Sequence, residues 1–143
     1  MKTNSIPIQT ELVLVGGGHA NIQVLKSFAM NKIDGLRITL ISDVYETPYS
    51  GMLPGYIEND YSLDDIKVDL YKICYHGNFR FIVSEVNNID GNKKLIYFRN
   101  RPPLSFDYLS VNIGINNDIK KIKNADKFAL SLKPISKIDF NEI

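Results

Sequence analysis

Three consecutive glycines, Gly16, Gly17 and Gly18, stand between a short apolar run at residues 12–15 and a helical pattern that begins at His19. Gly16 can make a tight turn, and Gly18 has no Cβ that would keep a diphosphate from approaching the backbone. The following helix would direct its unpaired N–H groups and the positive end of its dipole toward that diphosphate. This spacing predicts a nucleotide-diphosphate site that is built mainly from backbone.

The third small residue of the G-x-G-x-x-G/A pattern is missing, because its position holds Asn21. A small residue there lets the helix pack close to the strand. We expect Ala20, one position earlier, to relieve the crowding. A glycine-rich turn by itself is a weak signal, but strand, turn, helix and second strand follow here in the order of a dinucleotide-binding unit.

The second strand of that unit, LRITLI at residues 36–41, ends in Ser42 and Asp43. An acidic residue about 20 positions beyond the glycines can accept hydrogen bonds from the adenosine ribose. Asp43 lies at that distance, although a strict register places Ser42 at the acidic position. The alternative interpretation is that Asp43 is only a polar strand end.

The stretch from Tyr45 to Tyr56, YETPYSGMLPGY, holds two prolines and two glycines among aromatic and apolar side chains. This composition predicts no regular element. Surface loops are usually polar, so an aromatic loop directly after the nucleotide-binding unit suggests that it packs on a flat group. The alternative is a loop that covers the core.

The sequence predicts no catalytic residue and no metal site of its own. Its single cysteine, Cys74, excludes an internal disulfide and a Cys-x-x-Cys pair, and two histidines make no visible zinc cluster. We expect Cys74 to be a small buried hydrophobic residue. His19 would cap the helix, pack or contact phosphate. Tyr71, Tyr75 and His76 would form a stacking surface or, as is more common for such helix faces, part of the core.

Composition excludes some classes of partner. The chain has 17 basic and 16 acidic residues, and a net charge of +1 gives no support for binding nucleic acid or an anionic membrane. The first ten residues do not read as a signal peptide, and no apolar run approaches the roughly 20 residues of a membrane span. We therefore expect a soluble, cytoplasmic protein.

The periodicity predicts an α/β fold with a parallel sheet. An apolar face through Ala20, Val24 and Phe28 predicts a helix over 19–30, and Asp69 as N-cap predicts a short helix that ends at Gly77. Asp90-Gly91 predicts the turn of a hairpin or small meander. Strands are expected at residues 12–15, 36–41, 79–83, 94–98 and 107–115, and at a sheet edge at 130–135. Residues 1–10 are expected to form a flexible lead to one domain over 11–143.

This order of elements resembles the FAD domain of the two-dinucleotide-binding flavoproteins, the FAD-dependent pyridine nucleotide-disulphide oxidoreductase family. The segments GGGHA, LISDV, TPYSGMLPGYI, NIGI and KPI resemble the NADH dehydrogenase-like members, particularly the module associated with selenide, water dikinase. The resemblance implies a Rossmann-like parallel sheet with a small antiparallel β insertion and non-covalent FAD.

The resemblance also implies roles for individual residues. The diphosphate would contact the glycine turn, the ribose Asp43 or Ser42, the adenine the backbone of Val86, and the flavin the residues near Pro48 and the last glycine. The family's last strand commonly ends in Ala-Thr-Gly, whereas this chain has Asn112-Ile113-Gly114. The full expected set is Gly16, Gly17, Gly18, His19, Ala20, Ser42, Asp43, Pro48, Tyr49, Ser50, Gly51, Met52, Val86 and Gly114.

Two absences shape the expected activity. The sequence has no second glycine fingerprint and ends at Ile143, about where an NAD(P)H domain would begin, so we expect an FAD domain that is truncated before it. Such a chain would act with NAD(P)H only if a second polypeptide supplied that domain, and would then pass electrons to a small-molecule acceptor such as a quinone. The alternatives are a nucleotide-binding or partner-docking module without turnover, or a non-functional fragment.

Overall fold

The structure, a computed structural model, describes residues 7–115, 121–135 and 138–140. The chain divides into two units, one formed by Met1–Tyr45 and Asp69–Ile113 and the other by Glu46–Val68 and Gly114–Ile143. The elements in chain order are β1 (Thr10–Val15), α1 (His19–Met30), β2 (Leu36–Ser42), β3 (Glu46–Pro48), a 3-10 turn (Ser50–Met52), α2 (Leu53–Ile57), α3 (Leu63–Ile66), β4 (Lys67–Asp69), α4 (Leu70–Gly77), β5 (Arg80–Val83), β6 (Val86–Asp90), β7 (Leu95–Phe98), β8 (Leu104–Ser105), β9 (Tyr108–Val111) and α5 (Ala125–Phe128).

The first unit is built on a four-stranded parallel sheet in the order β5-β2-β1-β9. This is the third-second-first-fourth order of a doubly wound nucleotide-binding fold, in which the first strand is central. Val15 pairs with Ile41 on one side and with Val111 on the other. The carboxyl ends of three strands therefore meet at the glycine turn, and the predicted Rossmann-like fold class is confirmed.

A three-stranded antiparallel sheet, in the order β6-β7-β8, packs on one face of the parallel sheet. The predicted hairpin is correct, since β6 and β7 pair antiparallel across the turn at Asp90. The short β8 extends the hairpin to the small meander that was the alternative expectation. The two sheets bury one hydrophobic cluster, which consists of Val13, Val15, Ile41, Ile82, Ile96, Phe98 and Phe106.

The helices α1 and α4 cover the other face of the parallel sheet, to which Leu14 and Leu40 alternate. The buried residues of α1 are Asn21, Ile22 and Leu25, whereas Ala20 is exposed. The expected face through positions 20, 24 and 28 is therefore wrong at Ala20, which also does not relieve the crowding. Hydrogen bonds at Asn21 turn that residue toward the sheet instead.

The short helix α4 agrees with its prediction. The Asp69 carboxylate accepts a 2.8 Å hydrogen bond from the N–H of Lys72, and this bond lowers the pKa of Asp69. The left-handed residue that ends the helix is Asn78, directly after Gly77. Cys74 is buried as expected, and burial raises the pKa of its thiol to about 11.

The second unit contains short elements where the sequence predicted none. The stretch from Tyr45 to Tyr56 includes β3, which pairs with β4, the 3-10 turn and most of α2. The expectation of no regular element is therefore wrong. Pro54 is tolerated because it lies at the start of α2, where its missing N–H has no helical partner. The Ser62–Asp65 capping box forms and lowers the pKa of Asp65.

Four further expectations about boundaries need correction or limits. The strand expected over 107–115 ends at Val111, and residues 130–135 form no strand. The lead is partly attached, since the N–H groups of Gln9 and Thr10 both donate to the Gly35 carbonyl, at 2.9 and 3.2 Å. Residues 1–6 of that lead lie outside the described residues, and the assignment of 11–143 to one FAD-binding domain stays a prediction.

Candidate functional site

The glycine turn begins where β1 ends, at the carboxyl edge of the sheet. Gly16 has φ of +91°, a conformation that side chains rarely allow, and its N–H donates a 2.8 Å hydrogen bond to the Ile41 carbonyl. A Cβ on Gly17 would overlap the Leu70 side chain, and one on Gly18 would overlap Asn112. The predicted tight turn at Gly16 is present. Backbone atoms of Asn112 restrict Gly16 and Gly18 to glycine, whereas the neighbour of Gly17 is the end of the Leu70 side chain.

Asn21 is fully buried and bonds to three elements of the first unit. Its Nδ2 donates to the carbonyls of Val15 and Gly16, at 3.1 and 2.8 Å, and its Oδ1 accepts from the Ser110 hydroxyl at 2.7 Å. The side chain therefore fits at the third small position because every polar atom on it has a partner. The sequence showed that Asn21 departs from the glycine pattern. It could not show the hydrogen bond from Ser110, because that residue lies on β9, almost 90 residues away.

Asn112 lies directly against the start of α1. Its N–H donates to the Val15 carbonyl at 2.8 Å, and its own carbonyl accepts from Gly18 at 3.2 Å. Its side-chain Oδ1 accepts a 3.0 Å hydrogen bond from the N–H of Ala20, the second residue of α1. Gly18 has no side chain with which to cap the helix, so the cap comes from the end of β9. The sequence indicated that Asn112 departs from the family's usual strand end, but it did not indicate the contact between Asn112 and Ala20.

The candidate ribose residues lie at the same carboxyl edge. Ser42 is buried at the end of β2, and its Oγ accepts a 3.3 Å hydrogen bond from the N–H of Val44. Asp43 is the next residue and is exposed. The N–H of Gly16 bonds to the carbonyl of Ile41, so Ser42 and Asp43 directly follow the strand end that lies beside the glycine turn. The roles of Asp43 and Ser42 toward a ribose stay predictions.

The remaining expected residues of the first unit are His19, Ala20 and Val86. His19 and Ala20 form the exposed first two positions of α1. Val86 begins β6, pairs with Phe98 and packs against the hydrophobic cluster between the two sheets. Its backbone follows closely after β5, which is the neighbour of β2 in the sheet.

The expected flavin-side residues belong to the second unit. Pro48 ends β3, and the Tyr49 N–H donates to the Ile66 carbonyl at 2.7 Å. The 3-10 turn then holds the other three, Ser50, Gly51 and Met52, and a Cβ on Gly51 would meet the Tyr49 ring at 2.7 Å. Gly114 lies in the same unit, where its added Cβ would make ordinary contact with Pro134. The roles of these residues toward a flavin stay predictions.

Two other polar features lie away from this edge. Glu11, at the amino end of β1, is buried, forms an ion pair with Arg37 and accepts a 2.5 Å hydrogen bond from the Thr39 hydroxyl. A cavity of about 520 Å³ opens at the amino ends of β2 and β5, where Leu36 and Arg80 line it. Ligands of open α/β sheets bind at the carboxyl ends of the strands, so neither feature belongs to the candidate site.

The exposed rings of α4 form a small surface. Tyr71 and Tyr75 stack with centroids 6.2 Å apart, and Tyr75 meets His76 edge-on at 5.6 Å. Both tyrosines are more than half exposed, so of the two interpretations left open by the sequence the stacking surface is correct. Among the described residues, no group of three or more potential ligands could hold a metal ion.

Comparison with known proteins identifies the relatives of this chain. No protein-family model matches it. NADH dehydrogenase-like protein YutJ of Bacillus subtilis is 27% identical over 130 residues, which cover 87% of this chain and 35% of YutJ. The sulfide:quinone oxidoreductase of Aquifex aeolicus matches with a TM-score of 0.66 and 25% identity, over 76% of this chain and 25% of that one. The chain is a relative of the FAD-dependent pyridine nucleotide-disulfide oxidoreductases.

The fold of these oxidoreductases extends to more distant structures. The NAD-dependent persulfide reductase of A. fulgidus is 20% identical and has a TM-score of 0.68, with 88% of this chain and 25% of the reductase covered. The chain thus spans about a third or less of the relatives that it matches. The expected association with selenide, water dikinase is supported by none of these three proteins and stays a prediction. None of the helices in the described residues is long and apolar enough to cross a membrane.

Proposed function

We propose that this chain is the FAD-binding part of an NAD(P)H dehydrogenase-like flavoprotein oxidoreductase. The observation that carries the proposal is the glycine turn at the carboxyl end of β1, with the start of α1 on one side and the exposed Asp43 on the other. Backbone N–H groups at a helix start suit a diphosphate, and a carboxylate beyond the neighbouring strand suits a ribose. The relationship to FAD-dependent pyridine nucleotide-disulfide oxidoreductases supports the choice of FAD over other dinucleotides.

The residues present fit the adenylate half of FAD with one local change. The three glycines add no side chain of their own to the turn, and Asp43 would accept hydrogen bonds from the ribose hydroxyls. The carboxamide of Asn112 now bonds to Ala20, and it would have to turn away for a phosphate oxygen to take its place. Val86 would bind adenine through its backbone. Pro48 to Met52 and Gly114 would serve the flavin half, as the resemblance implies.

FAD, when bound, would supply the hydride and electron chemistry, while this chain would bind and orient it. The hydride donor would be NADH or NADPH, held by a nicotinamide domain outside these 143 residues. The acceptor would be a small molecule, a class in keeping with the sulfide:quinone oxidoreductase relative. We infer a cytoplasmic location, with which the single cysteine is consistent. We also infer that the protein binds no nucleic acid, because its 17 basic residues are matched by 16 acidic ones.

Flavin analysis tests this proposal directly. The full 143-residue chain, purified as expressed and again after incubation with excess FAD and FMN, is denatured and its released flavin is separated by chromatography. We expect FAD, because the βαβ unit recognises an adenylate group that FMN lacks. Recovery of FMN alone, or of no flavin after incubation with both, would contradict the proposal.

A module that binds a nucleotide without turnover is the second candidate. Its support is the limited extent of the relationship, since the chain covers 35% of YutJ. The neighbouring reading frame separates the two candidates. A frame that begins with a nicotinamide-type glycine fingerprint favours a split oxidoreductase, and one that encodes selenide, water dikinase would support the expected association with that protein.

A further inference from the structure

The cap of α1 involves a side chain that occupies the position a phosphate would need. Asn112 Oδ1 accepts from the Ala20 N–H at 3.0 Å, and an added Cβ on Gly18 would overlap the same oxygen and its carboxamide carbon. The space that Gly18 leaves open above the backbone is therefore filled by Asn112. A ligand can therefore reach the N–H of Ala20 only if this carboxamide moves away.

The backbone of Asn112 is fixed while its side chain has one anchor in the described part of the chain. Its N–H and its carbonyl bond to Val15 and Gly18, which hold the end of β9 beside the turn. The carboxamide is held by the hydrogen bond to Ala20, and the residue is half-buried rather than enclosed. Rotation of the side chain alone would therefore free the N–H of Ala20, while the backbone carbonyl of Asn112 would keep its bond from Gly18.

We propose that Asn112 sets the affinity of this chain for the dinucleotide diphosphate by competing with it for the start of α1. The inference rests on the proposed function, and it concerns the diphosphate rather than the flavin or adenine. Both the carboxamide and a phosphate oxygen accept hydrogen bonds, but the phosphate is charged and forms the stronger bond with an N–H at a helix start. The diphosphate therefore displaces the Asn112 carboxamide from the N–H of Ala20, and the hydrogen bond between these two groups is lost.

Two substitutions of Asn112 test whether its side chain competes with the diphosphate or instead helps to bind it. Asn112→Ala removes the competing oxygen, so the apoprotein should become less stable while its dissociation constant for FAD should fall about three- to tenfold. Asn112→Asp keeps the shape but adds a negative charge. The aspartate should stabilise the apoprotein as a charged cap and should raise the dissociation constant about tenfold or more by repelling the phosphates.

A matched control removes a cap without touching the site. Asn31 lies at the other end of α1, where its exposed Nδ2 donates to the Ser27 carbonyl at 3.2 Å. Asn31→Ala should lower the melting temperature as a lost cap does, yet leave the dissociation constant unchanged. If the affinity for FAD changed only because the apoprotein became less stable, the dissociation constant would change in Asn31→Ala as well.

The measurement is a titration of the full apoprotein with FAD, ADP and adenosine, combined with thermal unfolding of each apoprotein. The Asn112 effects should appear with FAD and ADP and be absent with adenosine, which has no phosphate. Equal or weaker FAD binding by Asn112→Ala, in a variant that is folded by circular dichroism, would overturn the inference while leaving the FAD proposal intact. Absence of FAD and ADP binding in the wild type and in Asn112→Ala would overturn both.

Discussion

The Ser110 hydroxyl donates a 2.7 Å hydrogen bond to Oδ1 of the fully buried Asn21, and this bond joins the last parallel strand to the first turn of α1. The same carboxamide donates to the carbonyls of Val15 and Gly16. One side chain therefore fixes the helix start against the ends of two strands. The glycine turn depends on this contact for its position.

The first prediction is that Asn21→Ala destabilises the protein, although it restores the small residue of the dinucleotide-binding pattern. The Gly16 carbonyl and the Ser110 hydroxyl lose their Asn21 partner, and the Val15 carbonyl keeps only its bond from the N–H of Asn112. This loss should lower the free energy of unfolding by about 2 to 4 kcal/mol. Ser110→Ala, which removes one of these bonds, should cost about 1 kcal/mol. Urea unfolding measures both values.

Asn31→Ala provides the reference for that series, because it removes an exposed carboxamide from the same helix. Its effect on the free energy of unfolding should be within about 1 kcal/mol. An Asn21→Ala protein that is as stable as the wild type would show that the buried hydrogen bonds contribute nothing net.

The second prediction concerns the buried carboxylate of Glu11. Thr39→Val keeps the shape of a fully buried side chain but removes the hydroxyl that donates to Glu11 Oε1, so it should cost about 1 to 3 kcal/mol of unfolding free energy. Lys93→Ala breaks the exposed ion pair with Asp90 and should change that free energy by less than about 1 kcal/mol. Equal losses of unfolding free energy in Thr39→Val and Lys93→Ala would show that the buried hydrogen bond contributes no more than the exposed ion pair.

The third prediction is that Gly18→Val abolishes most FAD binding, since its side chain would block the diphosphate and meet the Asn112 carbonyl at 2.7 Å. Retained FAD should fall by about tenfold or more per mole of folded protein. Gly91→Ala is the control, because nothing lies within 4 Å of a Cβ added there. Equal flavin loss in two variants with native circular dichroism would count against the site.

The fourth prediction separates Asp43 from Ser42. Asp43→Ala removes a carboxylate that would accept from the ribose, and charged hydrogen bonds of this kind contribute about 1.5 to 3 kcal/mol, so FAD should bind about 10- to 150-fold more weakly. Ser42→Ala affects a buried hydroxyl that already bonds to Val44 and should leave the dissociation constant nearly unchanged. The reverse order of effects would assign the ribose to Ser42.

The fifth prediction is that this chain, loaded with FAD but without any completing polypeptide, is not reduced by NADH or NADPH faster than free FAD. Hydride transfer needs the nicotinamide held against the flavin, a positioning effect of about 7 to 11 kcal/mol of the barrier, and the sequence holds no second fingerprint. Anaerobic visible absorbance follows the reduction. Rapid reduction of the isolated chain would reject the idea of a divided site.

The sequence alone determined the elements whose signals are local. The apolar run before Gly16 identifies a covered parallel strand, the Asp90-Gly91 pair identifies a hairpin turn, and Asp69 caps its own helix three residues on. Each depends on backbone preference and side-chain period within about ten residues. The order of these elements was then enough to indicate a parallel sheet with an antiparallel insertion.

Tertiary structure alone decided which side chains of the protein lie around the glycine turn. Asn21 appeared in the sequence as an obstacle, yet it fits because β1, the turn and β9 together satisfy its carboxamide. Asn112 appeared as a missing family residue, yet its side chain caps α1, 92 positions earlier in the chain. Hydrogen bonds between distant residues depend on which strands become neighbours, and this is decided by burial of the whole sheet rather than by any local pattern.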